Sequence, residues 1–141
     1  MSARVTVIPT EPGHWLLAVW RRDPGQGADH AQQVVAAIRD GCVRQRYWLR
    51  AYAALPNKLA LLLYPLEDPT VLLARFAALT GASPDRIRII RTDAELDRAA
   101  TYVESLPVRS HLSSRPEDYP FSSLGWMGAD QLASVKSPHG P

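Results

Sequence analysis

The chain has 141 residues, 46% of them hydrophobic and 21% charged, with a net charge of only +2. That is the size of one domain with a full core, and the near balance of charge excludes a polycation that holds nucleic acid by bulk charge alone. No apolar run reaches the ~20 residues of a membrane-spanning helix, no signal-peptide pattern opens the sequence, and the single cysteine, Cys42, fits a reducing, cytoplasmic setting.

In chain order, residues 3–9 read as a short strand stopped by Pro9. Glu11-Pro-Gly13 reads as a turn, and His14–Arg22 as a strand rich in large apolar residues. Asp23-Pro-Gly-Gln-Gly27 breaks the chain. Asp29 with Gln32 has the form of a capping box. Ala31, Val34, Val35, Ile38 and Cys42 then recur at helical spacing, which predicts a helix from about His30 to Arg44 with Gly41 weakening its last turn. Tyr47–Ala54 and Lys58–Tyr64 flank Leu55-Pro56-Asn57 and predict an antiparallel hairpin. In the second strand Leu59, Leu61 and Leu63 form a core face, and Lys58, Ala60, Leu62 and Tyr64 share the other.

Asp68-Pro69 predicts a helix start with Asp as N-cap and Pro at the first position. Leu72, Leu73, Phe76 and Leu79 supply its apolar stripe, and Gly81 its stop. Ser83-Pro84-Asp85 turns the chain into a strand, Arg86–Arg91, with Arg86 and Arg88 on one face and Ile87 and Ile89 on the other. Thr92 with Glu95 is a second capping box. The helix that follows, about Asp93–Ser105, turns Leu96, Ala99, Ala100 and Val103 inward, and Pro107 is expected to end it. Loop-like sequence follows, with Trp126 as a candidate anchor and a mobile tail over 127–141.

Strand, helix, two strands, helix, strand, helix is the order of a split βαβ, ferredoxin-like α+β domain over residues 1–126. The expected architecture is an antiparallel sheet with helices packed on one face, the other left to solvent, a second subunit or a ligand.

Two segments carry a family resemblance. Ala51-Tyr-Ala-Ala-Leu-Pro-Asn-Lys-Leu-Ala-Leu-Leu-Leu63 resembles the pattern AYVVMPNHVHLLL, and Tyr102-Val-Glu-Ser-Leu-Pro-Val-Arg through Glu-Asp-Tyr-Pro-Phe-Ser-Ser123 resembles YIHLNPVRAGLVERPEDYPWSS. Both patterns belong to the REP-associated tyrosine transposases, a branch of the IS200-like single-strand DNA transposases. The similarity runs over roughly residues 14–126, and a family segment is missing around Gly81–Asp85.

The resemblance implies a metal-dependent tyrosine nuclease of the HUH type. A divalent cation such as Mg or Mn, held by two strand histidines and a polar helix residue, polarises a phosphodiester of single-stranded DNA for attack by a tyrosine. A phenol of pKa ~10 needs such help at neutral pH. Carried onto this chain, the nucleophile position is Tyr102. The metal-ligand positions fall on Lys58, Ala60 and Leu106, none of which ligates a cation: two lack donor atoms and one is positively charged. The sequence thus supplies no metal site and implies no resident cofactor.

Of its 16 basic residues, 14 are arginine, a type suited to bidentate phosphate contacts and stacking on bases. The candidate nucleic-acid surface is Lys58, Arg46, Arg50, Arg86, Arg88, Arg91 and Arg109, with Tyr47, Trp48 and Tyr102 available to stack on bases. Three functions follow. The favoured one is a degenerate transposase-like protein that binds single-stranded or hairpin DNA without cleaving it. The alternatives are an active nickase using Tyr102, and a homodimeric interaction protein without DNA binding.

Overall fold

A computed structural model describes residues 13–124, apart from 24, 26, 82 and 83. The strand expected at 3–9, Trp126 and the 127–141 tail lie outside the described residues. The elements run β1 (Trp15–Arg21), α1 (Gly27–Val43), β2 (Tyr47–Leu55), β3 (Lys58–Pro65), α2 (Pro69–Thr80), β4 (Pro84–Ile90) and α3 (Asp93–Arg109), with a 3-10 turn at Pro116–Asp118. The four strands form one antiparallel sheet in the order β2-β3-β1-β4, which is the ferredoxin-like order expected.

Local chemistry sets most boundaries. Pro56-Asn57 closes the hairpin in two residues. Asp68 caps α2 by accepting from the Thr70 N–H at 2.9 Å, and Gly81 ends it in the left-handed region at φ +80°, where glycine carries no penalty. Thr92 and Glu95 cap α3 reciprocally.

Three expectations are corrected. First, α1 starts at Gly27, which places Asp29 inside its first turn rather than at a cap. Second, Pro107 does not end α3, which continues to Arg109. Pro107 and Leu106 are both buried there, so packing holds a turn that propensity opposes. Third, the helices do not share one face. Leu16, Ala18, Trp20, Leu59, Leu61 and Leu63 pack under α1 and α2. Leu17, Val19, Ala53, Ala60 and Leu62 pack under α3. The sheet is apolar on both sides and is covered on both, a three-layer arrangement.

Two details lock the α1–α2 layer. The buried Arg22 guanidinium donates to the Leu55 carbonyl and to His30 Nδ1, 2.8 Å away, while His30 Nε2 donates to the Leu79 carbonyl at 2.9 Å. These bonds join β1, the hairpin and both helices, and they commit His30 to structure. Gly41 answers to Tyr47, whose hydroxyl donates to the Ile38 carbonyl at 2.6 Å. A Cβ at Gly41 would lie 2.4–2.6 Å from the Tyr47 ring. Gly41→Ala is therefore expected to destabilise the fold by about 1–2 kcal/mol, the overpacking cost exceeding the gain in helix propensity. Urea unfolding checks this; a stabilised variant would show that the ring moves freely. Cys42 packs against the same core, and burial pushes its thiol up to about 11.

The segment after α3 is fastened to the outer edge of β2. The Ala54 N–H donates to Phe121 O at 2.8 Å, the Ser123 N–H to Tyr52 O at 3.0 Å, and the Tyr119 hydroxyl to Ala54 O at 2.7 Å. Tyr119, Phe121 and Ser123 therefore anchor this segment. Among the described residues no helix is long and apolar enough to cross a membrane.

Candidate nucleic-acid interface

α3 lies mainly over β2 and β3, and one of its flanks faces β4 across an open strip of sheet. Four residues of that flank, Glu95, Arg98, Ala99 and Tyr102, form one wall of a cleft of about 250 Å³. Arg86, Arg88 and Ile90 of β4 form the other wall, and Leu17 of β1 the floor. The period of two on β4 puts Arg86 and Arg88 on this side while Ile87 and Ile89 pack into the α1–α2 core. The helical period puts Arg98 one turn before Tyr102, on the same flank.

The cleft holds three guanidiniums, one phenol and one carboxylate. Glu95 Oε1 accepts from the backbone N–H of Arg91 at 2.9 Å and of Thr92 at 3.1 Å, and Oε2 lies 3.9 Å from an Arg88 nitrogen. The Arg91 N–H above all, helped by Thr92, Arg88 and Arg98, holds this carboxyl below its ordinary range, against an opposing effect of desolvation second in size to the Arg91 bond. Tyr102 is half-buried, its ring packed against the apolar cluster beneath α3. The cleft is smaller than the 300–1,000 Å³ of usual small-molecule sites. Its chemistry is that of an anion seat with an aromatic edge.

The residues expected to bind nucleic acid divide. Arg86, Arg88 and Tyr102 converge on the cleft. Arg91 sits beside it, at the turn from β4 into α3, and Arg109 is exposed in the last turn of α3. Arg46 does not join them: it lines a separate groove between α1 and α2 and pairs with Glu67 at 3.6 Å. Tyr47 is buried and cannot stack on a base. Arg50 occupies a β-bulge and turns to the opposite flank of α3, with Asp97 at 4.0 Å and Glu104 at 3.8 Å. Trp48 stacks on Tyr64, centroids 4.9 Å apart, and Tyr64 meets Trp15 edge-on at 5.6 Å. Arg98 and Glu95 were missed from the sequence, although their spacing from Tyr102, four and seven residues, is the signal that finds them.

The positions that the resemblance assigns to metal ligands lie on the same side of the sheet as Tyr102. Ala60 is fully buried between Val19 of β1 and Ala53 of β2. Leu106, 4% exposed, belongs to the same apolar cluster. Lys58 stands at the hairpin end of β3, half-exposed, opposite Arg21, and is not among the residues lining the cleft. These residues do not fit a cation: a methyl group and an isobutyl group fill two of the places, and an ammonium stands at the third. Among the described residues no three His, Cys, Asp or Glu side chains group to hold a metal ion.

No family model matches the chain, and no curated protein sequence matches it. Among solved structures, that of a REP-associated tyrosine transposase bound to a REP hairpin is similar over 100% of this chain and 98% of the other, with a TM-score of 0.61 and 18% identity. The chain has the fold of a REP-associated tyrosine transposase. The expected α+β class and strand order are therefore the observed ones, with α3 on the second face of the sheet, and the short path from α2 into β4 does not disturb them. In this transposase-like fold the cleft between α3 and β4 is the place where Tyr102 and the basic strand face meet.

Proposed function

We propose that the protein is a transposase-like DNA-binding protein of the REP-associated type, and that it holds single-stranded or hairpin DNA by its phosphates without cutting it. The observation that carries this reading is one cleft in which Tyr102 is flanked by Arg86, Arg88 and Arg98. Guanidiniums on two facing walls suit a phosphodiester strand laid between them, and a phenol ring beside them suits a base or sugar. The similar structure is of a transposase bound to a REP hairpin, which makes a DNA hairpin the first ligand to try. The absence of cleavage follows from chemistry: the residues at the former ligand positions give the phenol no cation to stabilise its developing charge.

The test is a polarisation titration with a fluorescent DNA hairpin bearing a single-stranded flank. Affinity is expected to fall with salt at a log–log slope of roughly −2, as for three contacts at about −0.7 each. Tyr102→Phe should bind within about twofold of the wild type, with no covalent adduct from either protein. Salt-insensitive or undetectable binding would remove the reading. An adduct made by the wild type and lost in Tyr102→Phe would overturn its non-cleaving part and restore the nickase.

A further inference from the structure

The three arginines of the cleft share their space with one anion, Glu95, and its position is fixed from two sides. Oε1 is held by two backbone N–H groups at the start of α3. Oε2 is thereby aimed at Arg88 on the facing wall, 3.9 Å away, and the carboxylate also feels Arg98, three residues along the same helix flank. The Arg88 side chain is 62% exposed and that of Glu95 26%, so the pair is a weak, solvent-screened one. A strand phosphate entering between β4 and α3 meets the same guanidiniums that the carboxylate already faces.

We propose that Glu95 is the resident anion of the cleft: it holds Arg88 and Arg98 in the absence of ligand, and a phosphodiester group must displace it to bind. Glu95 then sets the affinity and disfavours chance anions, because only a strand contacting several arginines at once recovers the lost pair. This rests on the DNA-binding reading above and adds to it a residue that limits binding.

The capping box makes the test clean. Glutamine at the third helical position keeps the reciprocal cap, so Glu95→Gln removes the charge and leaves the start of α3 intact, which circular dichroism and thermal unfolding would verify. Asp40→Asn makes the same change in net charge on α1, in the other helix layer. With the flanked hairpin at low salt, Glu95→Gln is expected to bind about fivefold tighter than the wild type, with the salt slope still roughly −2 because the same three arginines meet the phosphates. Asp40→Asn should gain less than twofold. Equal or weaker binding by Glu95→Gln, or an equal gain in Asp40→Asn, overturns the role of Glu95 while leaving DNA binding in place. Failure of both wild type and Glu95→Gln to bind overturns both readings together.

Discussion

Reversing two charges on β4, Arg86→Glu with Arg88→Glu, is expected to cost roughly 100-fold in affinity for the flanked hairpin at 0.15 M salt. Each arginine facing a phosphate at 4 Å contributes about 1 kcal/mol in water, and its reversal replaces that with a repulsion of similar size. Two reversals therefore amount to about 4 kcal/mol before screening. A Debye length of about 8 Å removes part of this, and about 2–3 kcal/mol remains, close to two decades in Kd. The fold should survive, because both side chains are exposed and Ile87 and Ile89 between them hold the strand to the core. Glutamate at position 88 would face Glu95, so Arg86→Gln with Arg88→Gln provides the milder companion, expected to lose about tenfold. Arg109→Glu, in the last turn of α3, should lose only a fewfold. A double reversal that binds like the wild type would move the DNA off this cleft and leave the groove beside Arg46 and Arg75, between α1 and α2, as the place to look.

The parts of this fold that could be read beforehand are those governed by neighbours in sequence. Pro56-Asn57, Asp68-Pro69, Gly81 and the Thr92–Glu95 box each act within four residues, and each is where it was expected. The helix placement was misread, though the signal was present. Leu59, Leu61 and Leu63 on one face and Ala60 and Leu62 on the other make an almost unbroken apolar strand, which is the mark of burial on both sides rather than one. Pro107 was misread because propensity weighs a residue alone, whereas the last turn of α3 is held by what lies beneath it. The site shows the same division. Arg86, Arg88, Arg98 and Tyr102 obey simple periods, so a face can be assigned to each. Arg46 and Arg50 look identical to them in sequence, and only tertiary structure reveals that their charges are spent on Glu67, Asp97 and Glu104.

The positions that the resemblance assigns to metal ligands give the second large effect. Placing histidine at residue 60 is expected to destabilise the protein by about 3 kcal/mol, or roughly 10 °C in Tm. Ala60 has no exposed surface and sits between Val19 and Ala53 in the sheet, beneath the α3 layer. An imidazole there adds five ring atoms to a space fitted to a methyl group, which costs about 1–3 kcal/mol in overpacking. It also buries ring nitrogens with no partner in sight, at about 1–3 kcal/mol more. Lys58→His, half-exposed at the strand end, should change stability by less than about 0.5 kcal/mol. The two together should behave like Ala60→His alone, and manganese should not restore the lost stability. The contrast separates two accounts of these positions. If ligands had merely been removed, space would remain, Ala60→His would be tolerated, and the Lys58→His, Ala60→His protein would gain Tm on adding manganese, reversed by EDTA. If the space has closed, as the burial of Ala60 and Leu106 indicates, histidine returns without its cavity and only strain follows. A metal-dependent rise in Tm would sink the second account, and with it the chemical ground for reading Tyr102 as a binding residue alone.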